Sequence, residues 1–209
     1  MIKQHLVNAQ NSVALALELL KNESQKNSES KNVTPYSQNN PRWARQRYAA
    51  KLTFAQAGCY VCCVAMLNTL TGSKDTPPQV AAKMREAGCF NGEMLSKPQN
   101  IPLAYPMLEW PVGAYRNRSN SVITDLEWAM IQSKILMDGA FILKVDYKPD
   151  NGVFNMHFVL AIELHGDDDL VILDPIDGQR STLLERYGTP QRWTIQQAIF
   201  GYRGLRVRG

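Results

Sequence analysis

The sequence predicts an α+β protein, and three observations carry that expectation. Helical patterns fill the earlier part of the domain, short β-rich runs fill the later part, and no internal repeat joins the two. The runs "AFILKVDY", "NMHFVLAIEL" and "DLVILDP" are separated by the turn signals "KPDNG" and "HGDDD". Strands joined by connections that short pair antiparallel.

Taken in order, the chain begins with Ile2, Leu6, Ala9, Val13, Leu17 and Leu20, mostly three or four residues apart. This is one apolar stripe, so residues 1–20 are predicted as an amphipathic helix. A lone helix cannot bury its own stripe, which must therefore lie on the domain behind it or on a protein partner. "KNESQKNSESKN" has neither apolar residues nor a period, and residues 21–33 read as a flexible linker. The folded domain is expected over 34–209. Within it, "CYVCCVAMLNTLTG" predicts a helix opening at or near Cys59 and stopped by Gly72. "TPPQVAAKMREAG" predicts a second, with proline in its first turn and Gly88 at its end. After a proline-rich loop, residues 122–138 predict a third, stopped by Gly139.

Composition removes several classes of function. The chain has 209 residues, 44% hydrophobic and 20% charged, with a formal net charge of +4. Its basic residues are dispersed, so no specific nucleic-acid partner is expected. The apolar run "VALALELL" is broken by Glu18, and no membrane span is expected. The start lacks the pattern of a signal peptide, which points to a cytoplasmic or virion-associated protein.

"AGCYVCCVAM" places three cysteines within five positions, and three chemistries compete for them. Structural zinc needs four ligands, commonly two close pairs, and no second pair follows Cys59 and Cys62. A redox CxxC of the thioredoxin kind needs a βαβ setting, which "RWARQRYAAKLTFAQAG" does not offer. A nucleophile needs a stabilised thiolate, a histidine to take its proton and a polar group to orient that histidine. Cys59 follows Gly58 and opens a helix, where N–H groups and the helix dipole favour a thiolate. His5 belongs to the N-terminal helix and His165 to a turn, whereas His157 sits inside a strand. Asp174 ends the next strand, in "VILDP". Alone, His157 reads as a core histidine and Asp174 as a turn residue. Their conjunction with Cys59 changes that reading.

The segments "YSQNNPRWARQRY", "AGCYVCCVAML", "MHFVLAI" and "ILDPIDG" together resemble the double-glycine (bacteriocin leader) peptidase-like family, cysteine peptidases of the papain-like fold. The likeness covers most of residues 34–178. It implies a papain-like domain whose nucleophile helix packs on an antiparallel sheet, with Cys59 as nucleophile, His157 as general base and Asp174 as the orienting carboxylate. The oxyanion-hole glutamine falls on Gln38, with Gln56 as the alternative nearer in sequence. No cofactor or metal is implied, and the substrate is a leader-type or cell-wall (peptidoglycan) peptide. Two departures stand out. Tyr60, Val61 and Cys62 occupy positions where relatives often carry Gly-Pro-Thr, and Asn40 replaces an aspartate. Cys62 and Cys63 read as core packing, while Trp43 and Tyr48 are candidates to line the cleft. The rival expectation is a structural or binding component of a phage or bacterial assembly, docked by its N-terminal helix.

Overall fold

The computed structural model describes residues 32–92, 94–111, 115–117, 122–148, 153–189 and 192–208. The helix expected over 1–20 and all but the end of the linker expected over 21–33 lie outside them. The architecture is α+β: helices pack on both faces of an antiparallel sheet.

Helix α1 (Cys59–Thr69) is buried on all sides from Tyr60 to Asn68, because "YVCCVAML" offers no polar face to water. Helix α2 (Pro77–Glu86) begins where Thr76 meets Gln79, whose Oε1 accepts the Thr76 N–H at 2.8 Å. Helix α3 (Asp125–Asp138) starts three residues later than its apolar pattern suggests. The reason is Thr124, which exchanges hydrogen bonds with Glu127 and so fixes the first turn there. Its end falls where expected, at Gly139, whose φ of +85° favours a residue without Cβ.

The six-stranded sheet runs in the order β1 (Tyr115–Asn117), β6 (Gly201–Arg203), β2 (Phe141–Asp146), β3 (Met156–His165), β4 (Asp169–Asp174), β5 (Gln179–Thr182). Every neighbouring pair is antiparallel. Alternate residues serve opposite faces. Ile142, Phe158, Leu160 and Leu173 pack with α1 and α2, while Leu143, Val145, Val159 and Ile172 pack with Ile131 and Ile135 of α3. The three expected strands are β2, β3 and β4. The other three escape a pattern reading for different reasons. The edge strand β5, "QRST", has no apolar alternation, and β1 and β6 are three residues each.

The hairpin β3–β4 contains a one-residue bulge at Ile162. From its turn the register is His165↔Asp169, Leu164↔Leu170 and Glu163↔Val171, but beyond the bulge Leu160 faces Leu173. An unbroken ladder would instead set Leu160 against Asp174 and leave Val159 and His157 on the opposite face of the sheet. The extra residue lies in β3, so it turns Val159 and His157 onto the face that Asp174 shares with Leu170 and Ile172. Deletion of Ile162 would leave every one of these pairs in a regular ladder, so the His157 and Asp174 side chains are expected to stay on one face. The low-field imidazole N–H resonance of His157 should persist in the proton NMR spectrum of the deletion variant. Its loss would show that the pairs beyond the bulge are not retained when the extra residue is removed.

Candidate active site

The approach to Cys59 is a tight single turn, Phe54–Ala57, opened by Thr53. Gln56 Oε1 accepts the Thr53 N–H at 2.9 Å, and the Gly58 N–H closes the turn onto the Phe54 carbonyl at 2.7 Å. A Cβ on Gly58 would stand 2.7 Å from Phe54 Cδ1 and from the Phe54 carbonyl oxygen. Gly58 has an ordinary φ of −77°, so close approach rather than backbone freedom requires the glycine. The chain then enters α1 with Cys59 as its first residue, where the unpaired N–H groups of a helix start favour negative charge.

His157 Nε2 lies 2.9 Å from Asp174 Oδ1. The Cys59 thiol is hydrogen-bonded to the same imidazole. With Nε2 engaged by the carboxylate, Nδ1 remains for the sulfur. The electrostatics follow from this contact. Burial opposes ionisation of Cys59, but the imidazole and the N–H groups of Phe158 and Tyr60 outweigh it and hold the thiol below its ordinary value. Burial likewise opposes charge on His157, yet Asp174 and Cys59 raise it to about 9. Sulfur and imidazole thus stabilise each other as an ion pair.

Asp174 is fully buried, and its carboxylate is held below the usual range despite that burial. The cause is a complete set of donors. Oδ1 accepts from His157 and from the Ile176 N–H at 2.9 Å. Oδ2 accepts from the Tyr187 hydroxyl and from Arg186 Nε at 2.6 Å. Arg186 and Tyr187 come from a π-helical turn, Leu184–Gly188, and sequence reasoning did not find them. "LERYG" carries no motif. The only available signal was indirect: a buried carboxylate needs partners beyond its histidine.

Gln38 reaches the site although twenty-one positions separate it from Cys59. Its N–H bonds the Pro175 carbonyl at 2.6 Å, and the Ser37 hydroxyl bonds the Ile176 carbonyl at 2.9 Å, which fastens this loop to the turn after Asp174. Trp43 Nε1 donates to the Ser37 carbonyl at 2.8 Å and steadies it from behind. The Gln38 side chain is 8% exposed, with Nε2 donating to the Ala55 carbonyl at 3.0 Å. Its Oε1 is buried with no hydrogen-bond partner among the described residues. Gln56 lines the same cleft, but its carbonyl is spent on Thr53. Asn40 Oδ1 accepts the Arg42 N–H at 3.0 Å, so the residue standing in the aspartate position still caps a turn.

Gln38, Cys59 and His157 open onto one cleft of about 770 Å³, which Tyr48, Tyr147 and Met156 also line. Trp43 is buried in the core and is not among the residues lining it. Cys62, Cys63 and Cys89 are fully buried free thiols, and burial pushes all three up. His165 lies at the far end of β3, and His5 is outside the described residues. Among the described residues no cluster of His, Cys, Asp or Glu is placed to hold a metal ion, and no helix is long and apolar enough to cross a membrane.

The arrangement is an α+β domain in which a helix-opening cysteine, a strand histidine and a buried aspartate form one hydrogen-bonded chain beside a cleft. Comparison with known proteins found no matching family model, curated protein or solved structure.

Replacing Tyr187 by Phe removes one donor from a buried carboxylate and nothing else of comparable size. Urea unfolding is expected to show a loss of about 1.5–3 kcal/mol. A change within experimental scatter would mean that Arg186 and Ile176 suffice for Asp174.

Proposed function

We propose that this chain is a papain-like cysteine peptidase or amidase that cleaves a peptide bond through Cys59, His157 and Asp174. The observation that carries the reading is the imidazole of His157 bonded at once to the Cys59 thiol and to Asp174, with thiol and imidazole shifted toward the ion pair. In this reading the Cys59 thiolate attacks the carbonyl carbon. The oxyanion that forms takes hydrogen bonds from the Cys59 N–H and from the second Nε2 proton of Gln38. The His157 imidazolium then gives its proton to the departing amine, leaving a thioester on Cys59 and a neutral imidazole. Water attacks the thioester as His157 accepts its proton. The acid product leaves, and the thiolate–imidazolium pair is restored.

Each partner has a support independent of the others. Asp174 fixes the imidazole's tautomer, so that Nδ1 faces sulfur. The helix start stabilises the thiolate. The cleft leaves room for an extended peptide, and a leader-type or cell-wall peptide is the substrate class that fits the resemblance.

The pH dependence has a definite sign. Cys59 ionises below its ordinary value, so reactivity rises through that lowered pKa as pH increases. His157 keeps its proton until about pH 9, so proton donation to the leaving group fails above that point. Iodoacetamide labelling, resolved by residue, is expected to modify Cys59 selectively at neutral pH. His157→Ala should slow that labelling by about 100-fold and move its profile toward that of a free thiol, near pH 8.5. A wild-type Cys59 with the ordinary thiol profile would sink the peptidase reading.

A further inference from the structure

Helix α1 opens with one thiol at the cleft and buries a second within the same turn. Cys59, its first residue, is half-buried and lines the cleft, whereas Cys62 has no contact with solvent. The Cys62 N–H donates to the Gly58 carbonyl at 3.0 Å and closes the first helical turn. The Cys59 N–H lies ahead of that ladder and is not tied down by it. In an α-helix, Cα atoms three residues apart stand about 5 Å from each other, and those four apart about 6 Å. Both separations fall inside the range that a disulfide bridges. Side chains lean toward the helix N-terminus, so the Cys62 thiol leans back over the turn that Cys59 begins.

Electrostatics separates Cys62 from its neighbour. Burial and then the Cys59 charge hold the Cys62 thiol protonated, which also places it close to the Cys59 sulfur. Cys63 feels burial, Cys59 and Cys62, and in addition the Asp174 carboxylate. The Cys59 charge disappears when its sulfur takes up oxygen, whereas that of Asp174 remains. Oxidation of Cys59 therefore frees Cys62 to react and leaves Cys63 opposed.

We propose that Cys62 is the resolving thiol for an oxidised Cys59, and that hydrogen peroxide closes a reversible disulfide between them. The proposal rests on the reading of Cys59 as nucleophile for what is switched off, and its test reads the two separately. The Cys59 thiolate attacks one peroxide oxygen. An S–O bond forms, the O–O bond breaks, and the departing hydroxide takes the His157 proton and leaves as water. Sulfur is oxidised to a sulfenic acid and the peroxide is reduced. Cys62 then gives up its proton and attacks the Cys59 sulfur. An S–S bond replaces the S–O bond, and the hydroxide released leaves with that proton as a second water. A sulfur bonded to Cys62 is no longer a nucleophile, and it is spared the irreversible sulfinic acid. A thiol reductant restores both cysteines by disulfide exchange.

The full chain is treated with equimolar hydrogen peroxide at neutral pH, alkylated with iodoacetamide, and mapped by mass spectrometry. The peptide holding Cys59, Cys62 and Cys63 is expected to lose two hydrogens, and Cys59 to stop labelling. Dithiothreitol should reverse both changes. Cys63→Ala should behave in the same way, because it alters packing alone. In Cys62→Ala the two-hydrogen loss should disappear and dimedone should trap Cys59 as its sulfenic acid. Further peroxide should then drive that variant to the sulfinic acid, which dithiothreitol does not reverse.

A wild-type chain whose Cys59 gains two oxygens without first losing two hydrogens overturns the switch. So does a bond that links two chains on a non-reducing gel, or one that survives in Cys62→Ala and is lost in Cys63→Ala. The wild-type readings stand whether or not either variant folds. Failure of the peptidase reading appears instead in untreated protein, as an ordinary thiol profile at Cys59. The disulfide is still read at alkaline pH in that case, where Cys59 ionises unaided.

Discussion

The site depends on one buried negative charge. A carboxylate with no contact with water is tolerated only if protein donors replace its hydration, and Asp174 has four. These donors come from three parts of the chain: the start of β3, the turn after β4, and the π-helical turn beyond β5. The same carboxylate therefore orients the histidine and joins elements distant in sequence. Arg186 adds a further link, since its Nη2 also reaches Asp177 at 2.7 Å. The turn carrying Asp177 is the one onto which Gln38 is fastened. Structural and chemical roles of Asp174 cannot be separated by geometry, because the same hydrogen bonds serve both.

The dyad is balanced differently. Cys59 and His157 each lie where burial alone would make them neutral, and each becomes charged because the other does. Asp174 and the helix start tip that balance toward the ion pair from opposite ends. Cys62 and Cys63 provide an internal comparison. They share the helix with Cys59 and are as ionisable in principle, yet burial without a cationic partner drives their thiols upward. Thiol chemistry here follows from position on the helix and from the neighbouring imidazole, and cysteine content by itself says little.

Much of the fold was legible where a residue's local and tertiary roles agree. Helix ends at Gly72, Gly88 and Gly139 coincide with positive φ, as their positions after apolar periods suggest. The strands β2, β3 and β4 are apolar on both faces because helices cover both, and that burden makes them visible. Strands β1, β5 and β6 gain their order from neighbours and so leave little trace in their own composition. The candidate site divides in the same way. Cys59, His157 and Asp174 sit at element ends that pattern alone could locate, and the structure brings all three together. Gln38 and Gln56 could not be separated by spacing. They differ in position: a buried loop delivers Gln38, while Gln56 caps Thr53 through its carbonyl oxygen, a contact that does not involve its N–H donors. Arg186 and Tyr187 were invisible, since only the packing of a π-helical turn against Asp174 gives them a role.

The bulge at Ile162 shows why sequence order is not sufficient to assemble such a site. His157 and Asp174 are seventeen positions apart across a tight hairpin, and nearness alone is assured by that connection. The face is not. Side chains alternate, so the choice between one face and the other turns on a single residue of register. The hydrophobic pattern supplies the constraint: Leu160 with Leu173 and Leu164 with Leu170 must both be buried, and on opposite faces. No regular ladder meets both demands across this stretch. One inserted residue does, and in meeting them it turns His157 onto the face of Asp174. The pairing of His157 with Asp174 is thus tied to core packing, because the residue that lets Leu160 and Leu164 be buried on opposite faces also sets His157 on the face of Asp174.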